Sequence, residues 1–297
     1  MTDRPRYPDF LCIGAQKGGT TWLFKNLRNH PGVCIPHKEL NFFNFRGQGP
    51  GSMFRLPIWR NALRHQLVGR LFRQDWHRSR WYLRYLFRRR TDAWYASLFE
   101  GCGDDMTGDV TPAYSTLGQI EVRHVGALMP RAKIILLLRD PVERAWSHLR
   151  MDYEKGLWPF LKDAGGPVEE LPLELLQRHF DSEFSTYRGN YPRMLRIWGA
   201  HFPAEQIFIG FKEEIDDDPL GFINRVAGFL GLDPPRDGWP FAAQRVNAMP
   251  QMQIPAEVAR YLSGKYLDSL KVLEQHPCLP DQPYVSAWRQ RAEKRLA

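Results

Sequence analysis

The apolar residues of this chain fall into short runs and helical stripes that alternate along its length. Phe10 to Gly14 is an apolar run ending at a glycine, and Thr20 to Asn29 sets Leu23 and Leu27 one turn apart, which reads as strand, loop, helix. His30-Pro31-Gly32 stops that helix, and Val33 to Pro36 forms a second short strand-like run. The alternation resumes with a strand at Thr107 to Val110, a helix near Leu117 to Leu128 and the strand Lys133 to Leu138. Asp140 and Pro141 then offer an N-cap and an N1 proline to a helix running to about Met151. Further on, Tyr191, Leu195 and Trp198 mark a helix at i, i+4 and i+7, and Gln206 to Phe211 a strand. Phe222, Val226, Phe229 and Leu230 share one face of a helix that opens at Asp218-Pro219 and ends at Gly231. A final helix is expected over about Ala256 to Gln275. Strands alternating with helices predict an α/β fold, a mostly parallel central sheet with helices on both faces.

One stretch breaks the alternation. From Arg46 to Arg90, arginines at 55, 60, 64, 70, 73, 78, 80, 84, 88, 89 and 90 are interleaved with aromatics such as Trp59, Trp76, Trp81 and Tyr85, and Asp75 is the only acid. This predicts a mainly helical insertion over about residues 46–100 of one domain that spans residues 1–297. No internal repeat, low-complexity tract or linker is evident.

The balance of 43% hydrophobic and 25% charged residues in 297 is that of a globular protein with a full core, and it argues against a disordered or collagen-like chain. The longest aliphatic run, Ile134 to Leu138, is far short of the roughly 20 residues that a membrane span needs. The N-terminus carries no basic-then-apolar signal pattern, so the expected compartment is the cytoplasm. Cys12, Cys34, Cys102 and Cys278 include no C-x-x-C pair and are expected as reduced thiols; no metal-ligand spacing is seen, and no metal is expected. The formal charge of +8 suits an anionic partner such as phosphate, sulfate, nucleic acid or anionic lipid.

Gly14-Ala15-Gln16-Lys17-Gly18-Gly19-Thr20-Thr21 joins the first strand to the first helix, where free backbone N–H groups and the helix dipole favour a bound phosphate. The glycines let the backbone approach the anion, Lys17 adds a charge, and Thr20 and Thr21 add hydroxyl donors. The spacing Gly14 to Gly19 fits G-x-x-x-x-G-K-[ST], but Thr20 stands at the lysine position and the lysine lies inside the loop. Lys133-Ile-Ile-Leu-Leu-Leu-Arg139-Asp140-Pro141 is a strand ending in an arginine, with Ser147 eight residues after it. Arg139 falls at the carboxyl edge of a parallel strand, where open α/β sheets bind ligands, and its guanidinium can fork onto two phosphate oxygens.

Together these motifs resemble those of sulfotransferases that use 3′-phosphoadenosine 5′-phosphosulfate (PAPS), nearest to the heparan-sulfate-type and related bacterial branch. Gly14 through Pro31 matches the loop G-x-x-K-G-G-T-T and its helix ending in His-Pro. The resemblance implies a P-loop-like three-layer fold, PAPS as co-substrate without a metal, and donor contacts from Lys17, Gly18, Gly19, Thr20, Thr21, Arg139 and Ser147. It also implies transfer of a sulfuryl group to an acceptor hydroxyl, with an amine as second choice. Lys38-Glu39-Leu40-Asn41-Phe42-Phe43 is similar to the family's E-x-x-F-F segment, which makes Glu39 the catalytic base beside Lys17; His37, whose free imidazole titrates nearer neutrality, competes for that role.

Asp109-Val110-Thr111-Pro112-Ala113-Tyr114 resembles a family segment with a lysine where this chain has Val110, so that lysine's work is either absent or taken by Lys38 or an arginine. Arg188-Gly-Asn-Tyr191 and Arg245-Val-Asn247-Ala are further, weaker likenesses. The acceptor is expected to be a small molecule, glycan or lipid, anionic or partly apolar, and not a nucleic acid. Two other classes remain open: a nucleotide kinase or NTPase with Asp140 as a Mg²⁺ ligand, and a non-catalytic polyanion-binding module built on the arginine-rich stretch.

Overall fold

The apolar runs become five parallel strands. In the computed structural model, which describes residues 5–47, 76–244, 253–279 and 282–297, these are β1 (Phe10–Gly14), β2 (Val33–Cys34), β3 (Met106–Val110), β4 (Lys133–Leu138) and β5 (Ile207–Phe211). They lie in the order β2-β3-β1-β4-β5, with Leu11 opposite Asp109 on one side and Ile134 on the other. Side chains of a strand alternate between faces, and a sheet covered on both faces needs apolar residues on each. Leu11, Ile13, Ile134 and Leu136 accordingly enter one core cluster, and Phe10, Cys12, Ile135 and Leu137 enter the other.

The helices supply the outer layers. On the second face lie α1 (Thr20–Arg28), through Trp22, Leu23 and Leu27, and the helix Pro219–Leu230, through Phe222, Ile223 and Val226. The first face is covered by the helices Gln119–Leu128, Tyr191–Gly199 and Pro283–Leu296. A third cluster joins the helix Pro141–Glu154 to Leu173–Phe180 and to the first half of Ala256–Glu274.

Several expectations are corrected. Ala256–Glu274 is not the final helix, because Pro283–Leu296 follows it and buries Val285, Trp288 and Ala292. The run expected as a strand to Pro36 pairs with β3 only at Val33 and Cys34. The helix expected from Leu117 begins at Gln119, after a 3-10 turn at Pro112–Thr116. Within the expected insertion α2 (Trp76–Phe87) and α3 (Asp92–Ser97) are helical, and Tyr85, Trp94 and Tyr95 join the core cluster that contains Leu11. Residues 48–75, with Arg55, Arg60, Arg64, Arg70 and Arg73, lie outside the described residues, as does Arg245-Val-Asn247-Ala.

The cysteines are not all reduced. Cys34 at the sheet edge and Cys102 in the turn after α3 form a disulfide, with Cα atoms 5.6 Å apart and a sequence separation of 68. Folding brings them together across a separation that no local pattern reveals. The bridge overturns the expectation of reduced thiols at these two positions, and disulfides persist mainly in oxidising compartments. Cys12 is a buried thiol whose pKa burial pushes up to about 12, and Cys278 is exposed. Among the described residues no helix is long and apolar enough to cross a membrane.

Candidate active site

The carboxyl ends of β1 and β4 carry the glycine loop and Arg139 side by side. Ala15 N donates to Leu137 O at 2.7 Å and Gly18 N to Ala15 O at 3.0 Å, so the loop is folded onto the end of β4. A Cβ on Gly18 would sit 2.4 Å from Leu137 O, and Gly19 has φ +105°; both positions require glycine, one for space and one for conformation. Gly19 caps α1 without a side-chain acceptor, and the helix has no acid in its first turn. Its first-turn N–H groups therefore remain available to an anion at the positive end of the helix dipole.

Lys17 occupies the crest of the loop with φ +73°. Burial, then the charges of Arg139 and Lys155, bring its pKa down to about 8. The positive charge of Arg139 disfavours that of Lys17, and an anion beside both would relieve the repulsion. Arg139 lies 3.4 Å from Glu143 Oε2, and its carbonyl accepts from Tyr191 Oη at 2.8 Å. Tyr191 thus fixes the backbone that carries Arg139, which gives the Arg188-Gly-Asn-Tyr191 likeness a physical role. Ser147 is half-buried one turn beyond Glu143 on the same helix face, in line with Arg139.

The base candidates sit across from the loop. Glu39 hangs on β3 through its N–H to Val110 O at 2.9 Å and takes φ +63°, leaving its carboxylate half-exposed. Lys38 Nζ donates to Thr21 Oγ1 at 2.7 Å and to Glu39 Oε1 at 3.0 Å. His37 instead packs among the aromatics of α2, stacked on Trp81 and Tyr85 with ring centroids 5.9 and 5.6 Å away. Val110 is wholly buried in the second-face core, so no charge comes from that position.

Beneath this segment Asp109 accepts hydroxyl hydrogen bonds from Tyr95 (2.8 Å), Tyr114 (2.8 Å) and Thr111 (2.6 Å). Burial nevertheless pushes its pKa up to about 6. The network ties α3 and the Thr111–Tyr114 turn to β3, and Tyr114 Oη in turn accepts from Phe42 N at 3.0 Å. Asp109 is a structural anchor beneath Glu39.

Two further groups were given no role by the spacing patterns. Arg188 lies in the electrostatic field of Arg144, Asp152 and Glu39, and burial with the Arg144 charge lowers its pKa to about 10. His148, Asp152 and His179 form the one metal-capable group among the described residues, all buried, with their ligating atoms within 4.8 Å of one another. Asp152 Oδ2 already faces His179 Nε2 at 3.0 Å and accepts from Trp158 Nε1 at 3.2 Å. The nearby charges of Arg144, Arg188 and Lys17, which with burial hold His148 well below the usual imidazole range, oppose a cation. Asp152 and His179 join two helices by their contact, and His148 Nε2 lies 3.4 Å from Asp152 Oδ2. The cluster's signal was hidden because His179 comes 27 residues after Asp152.

Asp140 has its own work. Its Oδ1 accepts from Val142 N at 2.9 Å as a helix cap, and its Oδ2 accepts from Arg291 Nη2 at 3.0 Å. Both oxygens are thus engaged in structural contacts.

Residues 8–236 match the profile of the sulfotransferase family. The chain belongs to that family. Among similar sulfotransferases, human heparan sulfate glucosamine 3-O-sulfotransferase 6 is 29% identical over 237 residues, 77% of this chain and 54% of that protein. Human bifunctional heparan sulfate N-deacetylase/N-sulfotransferase 3 is 26% identical over 242 residues, 77% of this chain and 23% of that protein. The chain therefore spans about half, or less, of the length of these curated relatives. A crystal structure of a sulfotransferase from Alicyclobacillus acidocaldarius shares the P-loop-like α/β fold, with a TM-score of 0.62 at 23% identity over 95% of this chain and 98% of that one.

Proposed function

We propose that this sulfotransferase moves the sulfuryl group of PAPS to an acceptor hydroxyl, or as second choice an amine, and releases adenosine 3′,5′-bisphosphate. The observation that carries the reading is the meeting, at one sheet edge, of a loop built for a phosphate, a second cation at Arg139, and a half-exposed carboxylate at Glu39. The 5′-phosphosulfate would lie on Lys17 and the backbone of Gly18, Gly19, Thr20 and Thr21, and the 3′-phosphate on Arg139 and Ser147. The acceptor oxygen attacks sulfur, the bond from sulfur to the phosphate oxygen breaks, and the acceptor proton passes to Glu39. Lys17 and the loop N–H groups stabilise the charge that grows on the leaving phosphate. Positioning and charge supply most of the rate, as in phosphoryl transfer, and the scheme uses no metal.

Asp140, the Mg²⁺ ligand of the nucleotide kinase alternative, instead caps a helix and pairs with Arg291. The polyanion-module alternative does not account for a carboxylate facing the phosphate loop. The described helices of the insertion, α2 and α3, are read as the acceptor side of the site, and the relatives' names favour a glycan among acceptor classes. The disulfide favours an oxidising compartment over the cytoplasm.

Mass spectrometry after incubation with PAPS and a panel of glycans, phenols, lipids and peptides tests the reading: one acceptor should gain a single sulfuryl mass. Glu39→Gln should lower kcat by about 10²-fold or more with donor affinity intact. Near-native turnover in that variant would move the base to His37.

A further inference from the structure

We infer that Lys38 is a second catalytic cation, which holds Glu39 against the phosphate loop before reaction and contacts the sulfuryl group during transfer. This rests on the sulfotransferase reading above. Lys38 and Glu39 are consecutive, and the left-handed turn at Glu39 (φ +63°) lets both side chains serve the same cleft. The Lys38 ammonium donates at 2.7 Å to Thr21 Oγ1 in the loop and at 3.0 Å to Glu39 Oε1. It therefore spans the two groups that flank a sulfuryl group in flight: the base, which holds the acceptor oxygen, and the loop, which holds the leaving oxygen.

An in-line displacement spreads negative charge over the sulfuryl oxygens and the leaving oxygen, and a preorganised cation beside that path is worth most in the transition state. Lys38 is largely buried, with 22% of its side chain exposed, which limits screening of its charge. When Glu39 takes the acceptor proton its carboxyl becomes neutral and its hold on the ammonium weakens. The ammonium is then free to stay with the departing charge. No bond to Lys38 forms or breaks, and it remains protonated throughout.

The test compares Lys38→Met, which keeps length and removes charge, with Lys38→Arg and with the double variant Lys38→Met/Glu39→Gln. Release of adenosine 3′,5′-bisphosphate from PAPS is followed both with and without acceptor, and calorimetry gives the affinity for the bisphosphate itself, which has no sulfuryl group. Lys38→Met should lower kcat by about 10²-fold, the usual cost of one preorganised donor, while bisphosphate affinity stays within about twofold. Lys38→Arg should recover much of the rate. The double variant should be slower than Glu39→Gln alone, because the two side chains act on different atoms.

If Lys38→Met keeps its kcat, or loses bisphosphate affinity as much as rate, Lys38 only braces the loop. A double variant no slower than Glu39→Gln alone would mean that Lys38 acts through Glu39 and never meets the sulfuryl group. A wild-type protein that consumes no PAPS would instead remove the sulfotransferase reading itself, and this inference with it.

Discussion

The two walls of the proposed site are built by different means. The wall proposed for the donor, Gly14–Thr21 against the end of β4, is fixed by backbone: Ala15 N on Leu137 O, Gly18 in a space no side chain can share, Gly19 in a left-handed conformation. The wall proposed for the acceptor, Pro36–Phe45 with α2 and α3, is fixed by side chains far apart in sequence. Phe42 stacks on Tyr95 with centroids 4.4 Å apart, Arg90 lies over the rings of Phe45, Tyr85 and Trp94, and Asp109 gathers Tyr95 and Tyr114. A backbone-built wall is local and leaves a motif; a wall built by packing leaves only composition.

Breaking the acceptor wall should leave the donor wall working, and the largest expected effect comes from its disulfide. Replacing Cys34 and Cys102 together by serine releases a closed loop of 68 residues. Denaturant unfolding should show about 2–4 kcal/mol lost, as for other native bridges, with bisphosphate affinity unchanged below the new midpoint. A fall in affinity under folded conditions would show that the two walls are coupled.

The donor wall is probed by pH. Lys17 has its pKa at about 8 in the free protein, below the usual lysine value, because burial and Arg139 disfavour its charge. It binds fewer protons folded than unfolded between about pH 8 and 10.4, so its contribution to stability rises with pH in that window. Anion binding has the opposite sign, since a dianion favours charged Lys17. Bisphosphate affinity should fall by about tenfold from pH 7 to pH 9, and Lys17→Arg should flatten that profile. A flat wild-type profile over that range would place the phosphate away from Lys17.

The legibility of the two walls differs in the same way. β1, β4, the loop and the Asp140 cap could be read residue by residue, because apolar alternation and cap chemistry act within a turn or a strand. The place of Arg139 at the end of β4 could be read, but not its support from Tyr191, 52 residues on. The Cys34–Cys102 bridge, the His148–Asp152–His179 cluster and the Asp109 network are products of tertiary packing and have no sequence period. Pro283–Leu296 was missed because it buries only three residues, Val285, Trp288 and Ala292, too few for a convincing stripe.

The smallest effect is expected at the exposed rim of the acceptor wall. Arg84 and Arg90 are engaged, one with Ser97 O and Glu100, the other within its aromatic box, whereas Arg88 and Arg89 are exposed. Arg88→Ala with Arg89→Ala should change stability by no more than about 0.5 kcal/mol. It should raise acceptor KM in a salt-dependent way and spare bisphosphate affinity. Unchanged KM with an altered oligomeric state would make these arginines part of an interface instead.

The central claim, that the β1–β4 edge is a site for a nucleotide carrying a 3′-phosphate, is tested most directly by calorimetric titration. The wild-type protein and Arg139→Ala would each be titrated with adenosine 3′,5′-bisphosphate, AMP and ATP with Mg²⁺. The wild type should prefer the bisphosphate, and Arg139→Ala should lose about 1.5–3 kcal/mol of bisphosphate binding, the cost of a charged hydrogen bond, with AMP hardly affected. Equal losses for bisphosphate and AMP, or tighter binding of ATP with Mg²⁺ by the wild type, would contradict the account.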